Sequence, residues 1–404
     1  MIPSSLRFGA LALGLLFPFS GAVAQDELLI SGFFSNAVHR YDAATGASLG
    51  SIGPIAQPMG IAFDDAGFLY IVSEGTNRVL RYDATSLALL GEFIVDDPAT
   101  PLDETGGLVN PTGIAFGPDG AIYVASFATD AIHRFDARTG AFLGLFVAAG
   151  SGGLDGPDAG IAFGPDGHLY VPSYNNDRVL RYDGRTGAFL GTFVAAGAGG
   201  LQRPRTLRFR SDGHLLVSSE TTGQILRYAR NGASMGAFAT PHAGITGFAL
   251  SPVGNHLVST SLAQNNVQLW DGGSGARIRR LVAQGAGGLQ GAVFLAARPT
   301  REVVLSRLEP GIAGQVNALE LRHLTPSAPF ALLFGTAGAS VLLPGCGAAF
   351  LGIAQPELYP ARADASGRFR LQAPVDPLLQ GLSLHLQAFD ASCKFSNLVV
   401  ETLR

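Results

Sequence analysis

Residues 160–194 read GIAFGPDGHLYVPSYNNDRVLRYDGRTGAFLGTFV, and this stretch limits the chain to very few folds. Short apolar runs (GIAF, HLYVP, VLRY, AFLGTFV) alternate with polar, turn-forming segments (GPDG, YNND, DGRTG). Four short strands joined by three tight turns make an antiparallel meander. Both faces of such a sheet are largely apolar, so one copy cannot persist in water and must stack on others.

The other copies are present. GIAFGPDGAIYVASFATDAIHRFDARTGAFLGLFV starts at Gly113 and GIAFDDAGFLYIVSEGTNRVLRYDATSLALLGEFIV at Gly60. Looser versions start at Thr206 and Gly247. A period in the forties with four strands per unit is the pattern of a β-propeller blade. The expected fold class is all-β: a propeller of four-stranded antiparallel blades followed by a small β-sandwich-like domain. Charged residues make up only 14% of the 404 residues and glycines number 54, which suits tight turns and close-packed sheets. The net charge of −4 comes with no basic run, so neither nucleic acid nor an anionic membrane is an expected partner.

Residues 1–24 have the form of a signal peptide. Arg7 precedes an apolar core over residues 8–19, and Ala22-Val23-Ala24 is a small-residue cleavage site. The apolar core is too short for a spanning helix, and no later segment has the length for one. The mature chain is expected to be periplasmic, secreted or surface-held, and monomeric. Residues 25–300 form the propeller. Residues 26–52 match only the last three strands of a blade, and residues 291–296 (GAVFLA) stand where a sixth first strand belongs. Pairing of 28–52 with 291–296 would close the ring on a blade built from both ends, leaving no free edge. First strands near 60, 113, 160, 206, 247 and 291 count six blades; a seventh built from residues 303–321 is the alternative. Residues 301–324 read as connecting strands and 325–404 as the appended β module. Cys346 and Cys393 both lie in that module, where an oxidising compartment would join them as a disulfide.

GIAF, the Pro-Asp-Gly turn, Leu169-Tyr170-Val171 and Arg178-Val179-Leu180 resemble the NHL repeat, a pattern shared more loosely with gluconolactonase-like and TolB-like propellers. The resemblance spans about residues 26–300. It implies the fold and leaves function open, because such propellers include binding modules, lactonases and lyases. The ending of the β module is similar to a C-terminal module of exported bacterial proteins.

Among residues with chemistry, the Gly-x-Gly-Gly-Leu connectors (Gly150, Gly197, Gly285) lack the Lys-Ser/Thr of a phosphate loop and lead into strands, so they read as structural. His168, His214 and His256 share a register that Phe68 and Ala121 fill elsewhere, which argues against zinc. His39 and His133 read as sheet-surface residues. Recognition is expected where loops vary over the repeated scaffold: the turn between second and third strands, and the connector entering each first strand. The candidate ligand-binding residues there are Glu74, Asn77, Asp130, Asp158, Asn175, Asn176, Arg205, Glu220 and Asn265, with Arg203 and His242 nearby. The expected function is non-catalytic binding of a protein, glycan or small molecule, with no cofactor. The alternative is a metal-dependent lactone hydrolase, using a divalent cation such as calcium held by Glu and Asn oxygens, or a lyase built on His242 and Glu220. The first strands read GIAF without the acid that opens this strand in gluconolactonases, and this weighs against the hydrolase.

Overall fold

A computed structural model describes residues 27–298 except 65, 97–102 and 252–254, together with the strands between 304 and 402. The chain divides into two units, residues 26–299 and a second unit built from 300–404. Residues 1–24, read from sequence as a signal peptide, and Cys346 and Cys393, read as a disulfide, lie outside the described residues.

The first unit is a six-bladed propeller in which every blade is a four-stranded antiparallel sheet. Blade 1 is composite. Its innermost strand, Ala292–Ala297, pairs with Glu27–Gly32, followed by Ala37–Asp42 and Ser48–Ile52. Blades 2 to 6 follow in chain order, with innermost strands Pro58–Phe63, Pro111–Phe116, Ala162–Phe163, Pro204–Phe209 and Ile245–Leu250. Closure by both ends is reinforced by Glu27, whose carboxylate takes Arg40 Nη2 at 2.5 Å and Arg298 Nη1 at 2.9 Å. The Arg298 N–H also donates to the Glu27 carbonyl.

Three of the six seams bury the same aromatic residues, and the matching second-strand register holds Leu216, Val258 and Leu29 in the other blades. Tyr70, Tyr123 and Tyr170 on the second strands each lie edge-on between two phenylalanines: Phe93 and Phe116, Phe146 and Phe163, Phe193 and Phe209. In each trio one phenylalanine belongs to the next blade, so aromatic edge-to-face packing joins neighbours. Each tyrosine hydroxyl donates to the aspartate of its blade's first turn, Asp64, Asp119 or Asp166. The Pro-Asp-Gly turns therefore act as turns.

A second joint recurs on the opposite edge of the ring. The last residue of the turn between second and third strands adopts a left-handed conformation, at Asn36, Asn77, Asp130, Asp177 and Asn265. Its Oδ1 accepts the N–H of the next blade's connector, at Gln57, Asn110, Gly156, Arg203 and Gly291, over 2.6–2.9 Å. Blade 5 has Gly223 here, with φ 65°, and its carbonyl accepts from His242 N–H instead. Asn and Asp are the side chains that tolerate this backbone and still offer an acceptor.

His39 and His133 are not surface residues. Each is nearly fully buried, with Nδ1 donating to a carbonyl of the preceding connector, Gly287 O at 3.1 Å and Thr105 O at 2.9 Å. The third-strand register faces that connector, so its occupant is covered; Leu180 fills it in blade 4.

In the second unit, Val316–Arg322 pairs with both Val304–Leu305 and Phe369–Pro374. Pro329–Ala337 pairs with Ile353–Arg362 and Ser383–Asp390, and the latter with Val399–Thr402. The strand Val316–Arg322 thus belongs to a sheet of this unit.

Candidate functional site

The six innermost strands stand side by side around the axis, and hydroxyls on first or second strands tie four of the seams to the next blade's backbone. Ser31 Oγ donates to Met59 O, Thr112 Oγ1 to Pro157 O, Ser218 Oγ to Thr246 O and Thr246 Oγ1 to Ala292 O. Between blades 4 and 5 the backbones themselves touch. Gly160 N–H donates to Arg205 O at 2.9 Å, and a Cβ on Gly160 would stand 2.3 Å from Thr206 Cα. Only glycine permits that approach.

Blade 4 departs from the repeat at this point. Its connector reads PDAGIAF where blade 3 has PTGIAF, one residue more. Pro157 still opposes Ser173, but regular pairing resumes only at Ala162 with Tyr170. The additional residue detaches the strand's start from its own sheet and places Asp158, with no exposed surface, against the neighbouring blade.

There Arg205 holds two carboxylates. Its Nη1 meets Asp158 Oδ2 at 2.8 Å and its Nε meets Glu220 Oε2. Asp158 also accepts the Ala159 N–H at 2.6 Å. The Tyr174 ring lies beneath the guanidinium, 4.7 Å from ring centre to Cζ, with Arg203 at 5.6 Å. Burial raises the Asp158 pKa and outweighs the pull of Arg205 and of the Ala159 N–H. Burial opposes the charge on Arg205, yet Asp158 and Glu220 overcome it and hold the guanidinium above its ordinary range. Glu74, from blade 2, adds its charge at longer range, within electrostatic reach of Asp158 and Arg205. Burial and then the charge of Asp158 push it up to about 7, against a smaller opposing pull from Arg205.

Four of the residues expected from sequence, Glu74, Asp158, Arg205 and Glu220, therefore come together from three blades. The others serve the scaffold. Asn77, Asp130 and Asn265 spend Oδ1 on the seam joints described above. Asn175 donates to Asp155 Oδ1 and Asn176 to Gly153 O, each fixing its own connector, while Asn176 Oδ1 is buried without a partner. His242 is buried with Nδ1 on Ser259 Oγ at 2.7 Å and Nε2 on Asn266 Oδ1 at 2.8 Å, and burial lowers its pKa to about 4. Both nitrogens are thus engaged away from Glu220.

Tyr174 was not singled out from sequence, although a signal for it exists. Glu74, Phe127, Tyr174, Glu220 and Leu262 each directly follow the second-strand serine, and Phe33 follows the matching Gly32. One register thus places four apolar or aromatic residues and two glutamates around the mouth, and Phe127 packs edge-on against Tyr174. Among the described residues, no cluster of three or more His, Cys, Asp or Glu side chains is placed to hold a metal ion. No helix among them is long and apolar enough to cross a membrane.

No family model matches the chain, and no curated protein matches it in sequence. Solved structures do match in shape. A nidogen/laminin complex aligns with 17% identity, covering 68% of this chain and 98% of that one, at a TM-score of 0.51. A protein of unknown function from Bacteroides caccae aligns with 13% identity, covering 68% and 99%, also at 0.51. Virginiamycin B lyase from Staphylococcus aureus aligns with 18% identity over 62% and 78%, at 0.45. At 13–17% identity and TM-scores of 0.51, the first two likenesses establish a shared fold and nothing beyond it.

Proposed function

We propose that this chain is an exported, non-catalytic propeller of the NHL-repeat kind that binds a partner through the mouth of its central channel. The leader-like residues 1–24 support export, and the second unit is assigned to holding the propeller in an extracellular assembly. The observation that carries the binding reading is the Asp158–Arg205–Glu220 group with Glu74 beside it. Two carboxylates hold one guanidinium and a third, Glu74, feels the charges of Asp158 and Arg205, inside a rim that adds Phe127 and Tyr174. Carboxylates next to aromatic faces suit a cationic group, either a basic side chain of a partner protein or a small amine.

The test is thermal-shift titration of the full chain with lysinamide, agmatine and spermidine, with calcium, manganese and zinc in parallel. A ligand bound only by the native state raises the midpoint. The expected result is a rise with at least one amine that disappears in Glu220→Gln and Glu74→Gln. A rise with metal and none with any amine would overturn the reading in favour of a metal-dependent hydrolase.

A further inference from the structure

A different part of the channel carries an unmatched positive charge. At one register of the innermost strand five blades carry alanine, as cross-strand pairing establishes: Ala62 opposite Tyr70, Ala115 opposite Tyr123, Ala162 opposite Tyr170, Ala249 opposite Val258 and Ala296 opposite Leu29. In blade 5 the same register, opposite Leu216, holds Arg208. Its side chain extends past blade 6, and Cζ lies 5.7 Å from the Phe294 ring centre on the innermost strand of blade 1. The one hydrogen bond it makes among the described residues is from Nη1 to the carbonyl of its own neighbour, Leu207, at 2.9 Å.

Ion pairing elsewhere near the axis makes this unusual. Arg205, three residues earlier, holds two carboxylates, and Arg298 holds Glu27. Arg208 meets no carboxylate among the described residues, and burial alone lowers its pKa to about 10. Thr206, two residues before it, is fully buried with an unpartnered hydroxyl, where blades 2, 3, 4 and 6 have glycine. An unused hydroxyl and a guanidinium with one donor spent on Leu207 O thus sit on one innermost strand, and the guanidinium's planar fork matches an oxyanion. A part-buried charge without a counter-charge still loses solvation, and a bound anion would offset that loss.

We infer that Arg208, with the Thr206 hydroxyl, forms a site within the channel for a small oxyanion, either a carboxylate or a phosphate. The site is independent of the acidic mouth and does not require the binding reading above.

The experiment compares unfolding midpoints in sodium chloride, acetate and phosphate at equal ionic strength, for the wild-type full chain and for Arg208→Ala. Alanine is the residue five other blades carry at this register, so the variant is expected to fold and to be at least as stable as wild type in chloride. Wild type is expected to gain several degrees in acetate or phosphate over chloride, and whichever salt acts identifies the anion class. Arg208→Ala is expected to lose that gain, and Arg208→Lys, which keeps the charge without the fork, to retain part of it. Isothermal titration of wild type with the effective salt reads the same binding without a variant. Equal midpoints for wild type in all three salts, or an identical gain in Arg208→Ala, would overturn the inference.

Discussion

Arg205 of blade 5 and Asp158 of blade 4 meet at 2.8 Å although 47 residues separate them in the chain. Both are deeply enclosed, with 15% and none of their side-chain surface exposed. Removing one partner of such a pair leaves the other charge buried and uncompensated, at about 3–5 kcal/mol. Arg205→Met is therefore expected to lose about that much stability at pH 7 by urea denaturation. Asp158→Asn in the same chain should restore part of it, because the fully buried stranded charge is then gone and only that of Glu220 remains. A double variant as unstable as Arg205→Met would show that the guanidinium acts through packing instead.

Glu74 should make stability fall as pH rises. Its folded pKa, about 7, stands above the ordinary 4.5, so between those values the folded state holds more protons than the unfolded one. The stabilisation is fully present below the ordinary value and is lost as pH climbs through the folded value. Glu74→Gln is thus expected to match wild type at pH 4 and exceed it at pH 8. Allowing for solvent screening, the gain is about 1–2 kcal/mol. Melting curves across that range decide it, and a pH-independent difference would refute the assignment.

The seam joint at Asn77 separates two contributions. Asn77→Gly keeps the left-handed backbone and loses the bond to Asn110 N–H, at about 1 kcal/mol. Asn77→Ala loses the bond and also strains the backbone, adding about 1–2 kcal/mol. Equal losses in the two variants, measured by chemical denaturation, would mean that the conformation at 77 carries no strain.

Ring closure depends in part on Glu27. Burial raises its pKa, but Arg40 and Arg298 together outweigh this and hold it below the ordinary value. The stability it supplies is present above the ordinary carboxylate range and is lost as pH drops through the lowered folded value. Glu27→Gln should cost about 1–3 kcal/mol at pH 7, with the deficit shrinking in acid. A deficit that stayed constant down to pH 3 would assign the loss to shape and not to charge.

The repeat made the propeller legible down to blade count and the composite first blade, because strand and turn residues recur in register. The mouth was half legible. Variation among turn residues pointed to Glu74, Asp158, Arg205 and Glu220, but it pointed equally to Asn77, Asp130 and Asn265. An Asn in a turn reads the same whether its amide faces solvent or the neighbouring blade's N–H, and that neighbour's position is a tertiary fact. Tyr174 was passed over because it reads as the opening residue of the polar turn YNND, where Asn175, Asn176 and Asp177 draw the attention. Arg208 escaped notice because it stands in a strand, whereas the search for chemistry concentrated on loops. His39 and His133 were misplaced because a third-strand register says nothing about the connector that folds over it.

The composite blade also sets an order of events. Its opening strand, Glu27–Gly32, is the first part of the ring to be synthesised, and its inner neighbour, Ala292–Ala297, is the last. Throughout the intervening chain growth, that strand carries a bare edge with no sheet partner on its axial side. Blades 2 to 5 are complete in sequence long before then, but the circle that shields their flanks is not. The ring can close only once translation has passed Ala297, because the pairing that closes it joins strands from opposite ends of the propeller sequence.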